Sequence, residues 1–132
     1  MKKIETILLV DDDIDDREIF KEAMERVAPR VQCFSAVDGE DAMLILDSAI
    51  FLPDLIFLDL NMPRINGMQC LTEIKKKQKI KDIPVIIYST STLTKDMDET
   101  KQLGASQFIV KPYGFPELCQ SLTEAMDLEL KK

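Results

Sequence analysis

The sequence predicts a doubly wound α/β domain, a five-stranded parallel sheet in the order 2-1-3-4-5 with helices on both faces. Three observations predict it. Short apolar runs alternate five times with stretches of helical period. The first run is very apolar and suits a central strand, whereas the second is more polar and suits an edge. The 132 residues, 45% hydrophobic and 31% charged, suit a single domain spanning 1–132 with one core.

Each element follows from its pattern. Ile4 to Val10 reads as the first strand and ends in the acid run Asp11-Asp12-Asp13. Ile14 to Val27 reads as a helix, with Phe20, Ala23, Met24 and Val27 on one face at the 3/4 spacing. Asp13 suits its N-cap, and Asp15 and Asp16 suit the positive end of its dipole. Ala28-Pro29-Arg30 ends that helix, Val31 to Ala36 is a weaker strand, and Asp38-Gly39 a turn. Glu40 to Ile50 is a second helix with Ala42, Ile45, Leu46 and Ala49 inward. The third strand is the nearly unbroken run Leu55 to Leu58, ending on Asp59. Pro63 and Asn66-Gly67 mark a loop, and Met68 to Lys79 a third helix with Cys70, Leu71 and Ile74 inward. Its basic tail, Lys75, Lys76, Lys77, Lys79 and Lys81, reads as solvated and matched to the dipole. Val85 to Tyr88 is a fourth strand running into Ser89-Thr90-Ser91-Thr92. A short helix from Leu93 to Leu103 ends at Gly104, and Gln107 to Val110 is the fifth strand, followed by Lys111-Pro112. Phe115 to Leu130 is the last helix, with Leu118, Leu122, Ala125 and Met126 inward.

Composition excludes several classes. The net charge of −7, from 24 acids against 17 bases, disfavours nucleic acid as a partner. No apolar run approaches the ~20 residues of a membrane span, and no signal peptide is evident, so a cytoplasmic protein is expected. Cys33, Cys70 and Cys119 form no CxxC pair, and with no histidine in the chain they read as reduced packing residues. The lack of histidine also excludes imidazole base catalysis by this chain.

The predicted topology sets four strand ends side by side. They carry Asp11 and Asp12, then Asp59, then Ser89 and Thr90, then Lys111. Clustered carboxylates resist joint ionisation, and a hard divalent cation such as Mg²⁺ relieves that conflict. A cation, an ammonium and a hydroxyl around one carboxylate suit phosphoryl transfer to a carboxylate nucleophile.

The chain resembles the receiver domain of bacterial two-component response regulators, including the single-domain chemotaxis type, whose fold is flavodoxin-like. The resemblance rests on Leu8-Leu9-Val10-Asp11-Asp12-Asp13, on Pro53 to Asp59 with Met62-Pro63 and Gly67, on Pro84-Val85-Ile86 through Ser89-Thr90, and on Gly104-Ala105-Ser106 through Lys111-Pro112. It implies that Asp59 is the phosphoacceptor for a phosphohistidine on a sensor histidine kinase. Asp12, Asp59 and the backbone carbonyl of Asn61 would ligate Mg²⁺, with Asp11 acting through a bound water. Lys111 would pair with a phosphoryl oxygen. Ser89 would be the switch hydroxyl and Phe108 the aromatic that turns inward with it. Thr90 would gate access to the phosphoryl group, and Asn61 and Ser91 would flank the path of the hydrolytic water. The Lys111-Pro112 bond would be cis. Beyond accepting and losing its own phosphoryl group, the chain would not be an enzyme. Its output would pass to a protein partner or phosphotransfer protein through the face formed by Thr94–Leu103, Phe108, Tyr113 and Phe115–Met126. No output domain is expected behind the last helix.

Three departures from the family pattern stand out: Ser89 where threonine is commoner, Phe108 where tyrosine is frequent, and Thr90, larger than alanine, at the gating position. A second reading is a phosphatase of the haloacid-dehalogenase type using Asp11, since Asp11-Asp12-Asp13 after a strand looks like its DxD motif. The chain lacks room for a cap domain and the usual downstream acid pair. A calcium loop built on Asp11, Asp13, Asp15 and Glu22 fails because Asp16 stands where glycine is needed and a strand precedes the run.

Overall fold

The structure, a computed structural model, describes residues 3–48 and 52–132. Its elements run β1 (Thr6–Val10), α1 (Ile14–Val27), β2 (Gln32–Ala36), α2 (Gly39–Ser48), β3 (Leu55–Leu58), α3 (Gly67–Lys76), β4 (Val85–Ser89), α4 (Thr94–Gln102), β5 (Gln107–Val110) and α5 (Phe115–Leu130). The strands form one parallel sheet in the order β2-β1-β3-β4-β5, as the sequence predicts. Ala49 and Ile50, read as the end of the second helix, lie outside the described residues.

Alternation along the strands divides the core in two. Ile7, Leu9, Leu55, Phe57, Ile86 and Tyr88 point to one face and meet Phe20, Ala23 and Met24 of α1 and Leu118, Leu122, Ala125 and Met126 of α5. Leu8, Val10, Ile56, Leu58, Val85 and Ile87 point to the other, against Ala42 and Leu46 of α2 and Cys70, Leu71 and Ile74 of α3. On the first face Phe20 stands edge-on to both Phe57 (centroids 5.0 Å apart) and Tyr88 (5.5 Å).

Local chemistry sets the element ends. Asp13 caps α1, its Oδ1 accepting from the Asp16 N–H at 3.0 Å. Asn66 and Gln69 form a reciprocal capping box that starts α3. That helix stops at Lys76, three residues before the expected end, because the chain turns extended at Lys77 and residues 77–83 fold into successive turns. Lys75 is accordingly no solvated tail residue. Its half-buried ammonium donates to the carbonyls of Lys81 (3.0 Å) and Ile83 (3.1 Å), and burial pushes its pKa down. The expected cis Lys111-Pro112 bond is not found. Every peptide bond among the described residues is trans, the ordinary preference of an X–Pro bond. Cys33, Cys70 and Cys119 are free thiols, and burial raises Cys33 to about 11 and Cys70 to about 12. Among the described residues no helix is long and apolar enough to cross a membrane.

Candidate functional site

The site is assembled at the carboxyl ends of the strands, and backbone hydrogen bonds continue the sheet into it. The Asp11 N–H donates to Ala36 O (3.2 Å), the Asp59 N–H to Val10 O (2.9 Å) and the Lys111 N–H to Ser89 O (2.8 Å). Each strand end is thus fixed by its neighbour before any side chain acts. Arg17, one turn into α1, donates to Asp11 O at 2.8 Å and holds the β1–α1 junction. Behind Asp59 the chain passes under the start of α3 with no room to spare. A Cβ on Gly67 would lie 2.3 Å from Asp59 O and 2.5 Å from Leu60 Cα.

Carboxylate oxygens of Asp11, Asp12 and Asp59 lie within 4.8 Å of one another. Asp11 is fully buried, Asp59 is 4% exposed and Asp12 faces solvent. Lys111 reaches across from β5 with a 9%-exposed side chain. Its Nζ donates to Asp16 Oδ2 at 2.7 Å, to Asp11 Oδ2 at 2.9 Å and to Asp59 Oδ2 at 3.4 Å. The ammonium also stands 5.2 Å from the centre of the Tyr88 ring. Two backbone amides complete the acid side: the Asp13 N–H donates to Asp11 Oδ1 (3.0 Å) and the Asn61 N–H to Asp59 Oδ1 (3.3 Å).

The electrostatics follow from this packing. Burial raises the pKa of Asp59, and the nearby Asp11 charge adds to that while Lys111 opposes it. Burial likewise raises Asp11, against its hydrogen bonds from Lys111 and Asp13. Burial alone would lower Lys111, but hydrogen bonds to Asp16 and Asp11 and the charges of Asp59 and Asp11 outweigh it and its pKa rises. Burial lifts the Tyr88 phenol to about 12. Two buried, mutually repelling carboxylates beside an exposed third offer only hard oxygen donors, and at the two buried ones the positive charge of Lys111 opposes the upward shift that burial causes. This donor set fits a divalent cation of the Mg²⁺ kind.

Not every residue singled out from the sequence meets at this centre. Ser89 is fully buried, but its Oγ accepts from the Ser91 N–H at 3.2 Å and makes no hydrogen bond to Asp59. Ser91 Oγ donates to Asp96 Oδ2 at 2.6 Å and accepts from the Leu93 N–H at 3.2 Å, so it organises the entry to α4. Thr90 and Asn61 are exposed. Phe108 is half-buried on β5, opposite Ile87, and packs against the α2/α3 side of the core. Sequence reasoning missed Asp16. It lies 95 positions from Lys111 and satisfies the helix-dipole reading equally well. Its spacing, one helical turn beyond Asp12-Asp13, was the sole hint that it could turn toward the acids.

Dinucleotide-binding members of the doubly wound class carry a glycine-rich turn after the first strand. Here Asp11-Asp12-Asp13 stands in that place, so fold and site together define an acidic-pocket, flavodoxin-like domain. The sequence matches the family model described as the response regulator receiver domain over residues 7–123, and the chain belongs to that family. It is 33% identical over 108 residues to Protein PilG of Pseudomonas aeruginosa, covering 80% of this chain and 78% of that protein. It is 25% identical over 123 residues to the sensor histidine kinase CheAY of Helicobacter pylori, covering 93% of this chain but only 15% of that longer protein. Among solved structures it is similar to the phosphorylated cyanobacterial phytochrome response regulator RcpA (TM-score 0.88, 30% identity, 97% of this chain and 95% of that one). It is also similar to the Mn²⁺-bound form of response regulator Rcp1 (TM-score 0.80, 29% identity, 89% and 88% covered).

Proposed function

We propose that Asp59 accepts a phosphoryl group from the phosphohistidine of a sensor histidine kinase, as a step of two-component signalling in the cytoplasm. The single observation that carries this is the convergence on Asp59 of Asp11 and Asp12, within 4.8 Å, and of the Lys111 ammonium, 3.4 Å away. The phosphorylated state of the RcpA structure and the bound Mn²⁺ of the Rcp1 structure support it by similarity.

In this reading an Asp59 carboxylate oxygen attacks phosphorus in line, a new O–P bond forms, and the electrons of the broken P–N bond return to the donor imidazole. Lys111 neutralises charge on a phosphoryl oxygen. The buried Ser89 hydroxyl is the donor that turns toward the phosphoryl group, with Thr90 gating access. Asp12, Asp59 and the Asn61 carbonyl would hold Mg²⁺, with Asp11 acting through a bound water; when bound, the ion would supply neutralisation of the developing oxyanion charge. Asn61 and Ser91 flank the route of the water that later hydrolyses the acyl phosphate. The chain turns over no other substrate, and it signals to a protein partner or phosphotransfer protein through α4, β5 and α5, with Phe108 following Ser89.

The test uses acetyl phosphate as donor, with and without Mg²⁺, on wild type, Asp59→Asn and Asp11→Asn, reading intact mass within minutes because acyl phosphates are labile. A Mg²⁺-dependent gain of one phosphoryl group, lost in Asp59→Asn, is expected. Donor turnover abolished by Asp11→Asn but kept by Asp59→Asn would replace this reading with a phosphatase acting through Asp11.

A further inference from the structure

We infer that Asp16 is a competing acceptor for the Lys111 ammonium, one that holds Lys111 in the unphosphorylated state and is released when a phosphoryl group arrives. The inference rests on the reading of Asp59 as phosphoacceptor. It starts from the donor inventory of the ammonium, which has three N–H bonds and no more. All three are committed: to Asp16 at 2.7 Å, to Asp11 at 2.9 Å and to Asp59 at 3.4 Å. A phosphoryl oxygen on Asp59 takes over the long contact to Asp59 and draws the ammonium toward it, which lengthens the contact to Asp16 or to Asp11.

Exposure decides which partner leaves. Asp11 is wholly buried, and stripping its counter-charge leaves an uncompensated carboxylate in a low-dielectric setting. The Asp16 side chain is 37% exposed, so water can take over the vacated carboxylate. Asp16 also stands outside the Asp11, Asp12 and Asp59 cluster, so a cation held there leaves its claim on Lys111 intact. It makes the shortest of the three contacts, whereas the contact to Asp59 is the longest, so in this state the ammonium leans away from the nucleophile. The backbone of Asp16 is anchored by the N-cap bond from its N–H to Asp13, which limits how far its carboxylate can travel with Lys111. Tyr88 supplies a local reporter. Its ring is nearly buried, lies 5.2 Å from Lys111 Nζ, and belongs to one of only two tyrosines in a chain without tryptophan.

The experiment uses beryllofluoride, a tetrahedral phosphoryl mimic, on wild type and Asp16→Asn at saturating Mg²⁺, with Asp59→Asn as control. Affinity is read by titration, and the Tyr88 ring by NMR in the same samples. Asp16→Asn keeps the shape and a neutral acceptor while removing the competing charge. It should bind beryllofluoride about two- to fivefold more tightly, the range of a partly exposed ion pair. Its Tyr88 signals before titration should already be displaced toward their positions in the bound wild type. Equal or weaker affinity in Asp16→Asn, or unmoved Tyr88 signals, with normal binding by wild type, would overturn the role of Asp16. Absence of Asp59-dependent binding in the wild type would instead overturn the reading of the site itself.

Discussion

Two helices, α4 and α5, flank β5, and they are built to different standards. On its inner face α5 buries Leu118, Leu122, Ala125, Met126 and Glu129. From its last turn the Glu129 carboxylate accepts from Gln107 Nε2 (2.6 Å), Ser106 Oγ (2.7 Å) and Lys132 Nζ (3.3 Å), clasping the start of β5. Of its own residues α4 buries Thr100 alone, and that hydroxyl is satisfied within the helix by Asp96 O and Met97 O. Its N-cap, Leu93, makes no side-chain hydrogen bond. The difference separates frame from lever. Rearranging α5 requires dismantling half of the core, whereas α4 can shift by remaking a few surface contacts. On the proposed reading, a signal leaving Asp59 through the Ser89–Ser91 turn meets α4 first, at the Ser91–Asp96 bond.

If α5 is frame and α4 lever, four measurements should tell them apart. Leu122→Ala in α5 should lower unfolding free energy by about 2–5 kcal/mol, read from urea denaturation as a lower midpoint. A value near zero would mean that α5 is no frame. Native-state hydrogen exchange should find α4 amides opening about 100-fold more readily than those of α5, a local opening instead of a global one. Equal protection would erase the distinction. Glu129→Gln should cost about 1–2 kcal/mol at neutral pH, the scale of charge-assisted hydrogen bonds in a buried setting. Here the sign with pH is fixed. Burial opposes the Glu129 charge, but the bonds from Gln107, Ser106 and Lys132 prevail and lower its pKa from 4.5. The stabilisation is therefore present above about pH 4.5 and fades as pH falls through the lowered value. Denaturation profiles of wild type and Glu129→Gln should accordingly converge in acid. Thr100→Val in α4 should change stability by less than about 1 kcal/mol, because the hydroxyl lost was bonded only to its own helix.

The fold was readable because the signals are redundant. The runs at Ile7–Val10, Leu55–Leu58 and Val85–Tyr88 are too apolar to be anything but central strands, and the polar Gln32–Ala36 strand falls at the edge as expected. Asp11, Asp12, Asp59 and Lys111 could be placed together because each follows the end of a strand, and topology brings strand ends together. Charges within helices were less legible. Asp16 satisfied a local rule at the start of α1 and Lys75 another at the end of α3, yet each side chain also serves a tertiary partner, Lys111 for one and the Lys81 and Ile83 carbonyls for the other. Local rules that are already satisfied conceal tertiary roles.

Gly67 offers a different lesson, about which sequences could ever replace this one. It has no functional group, yet any added carbon would strike the carbonyl of Asp59. Thr90, just past the end of β4, is exposed at the surface and leaves more room for substitution. At position 67 the alphabet shrinks to one letter. Selection acting on the carboxylate of Asp59 must therefore leave its mark on a residue that takes no part in the chemistry, and a lineage that lost that glycine would have to rebuild the β3–α3 loop before it could vary further.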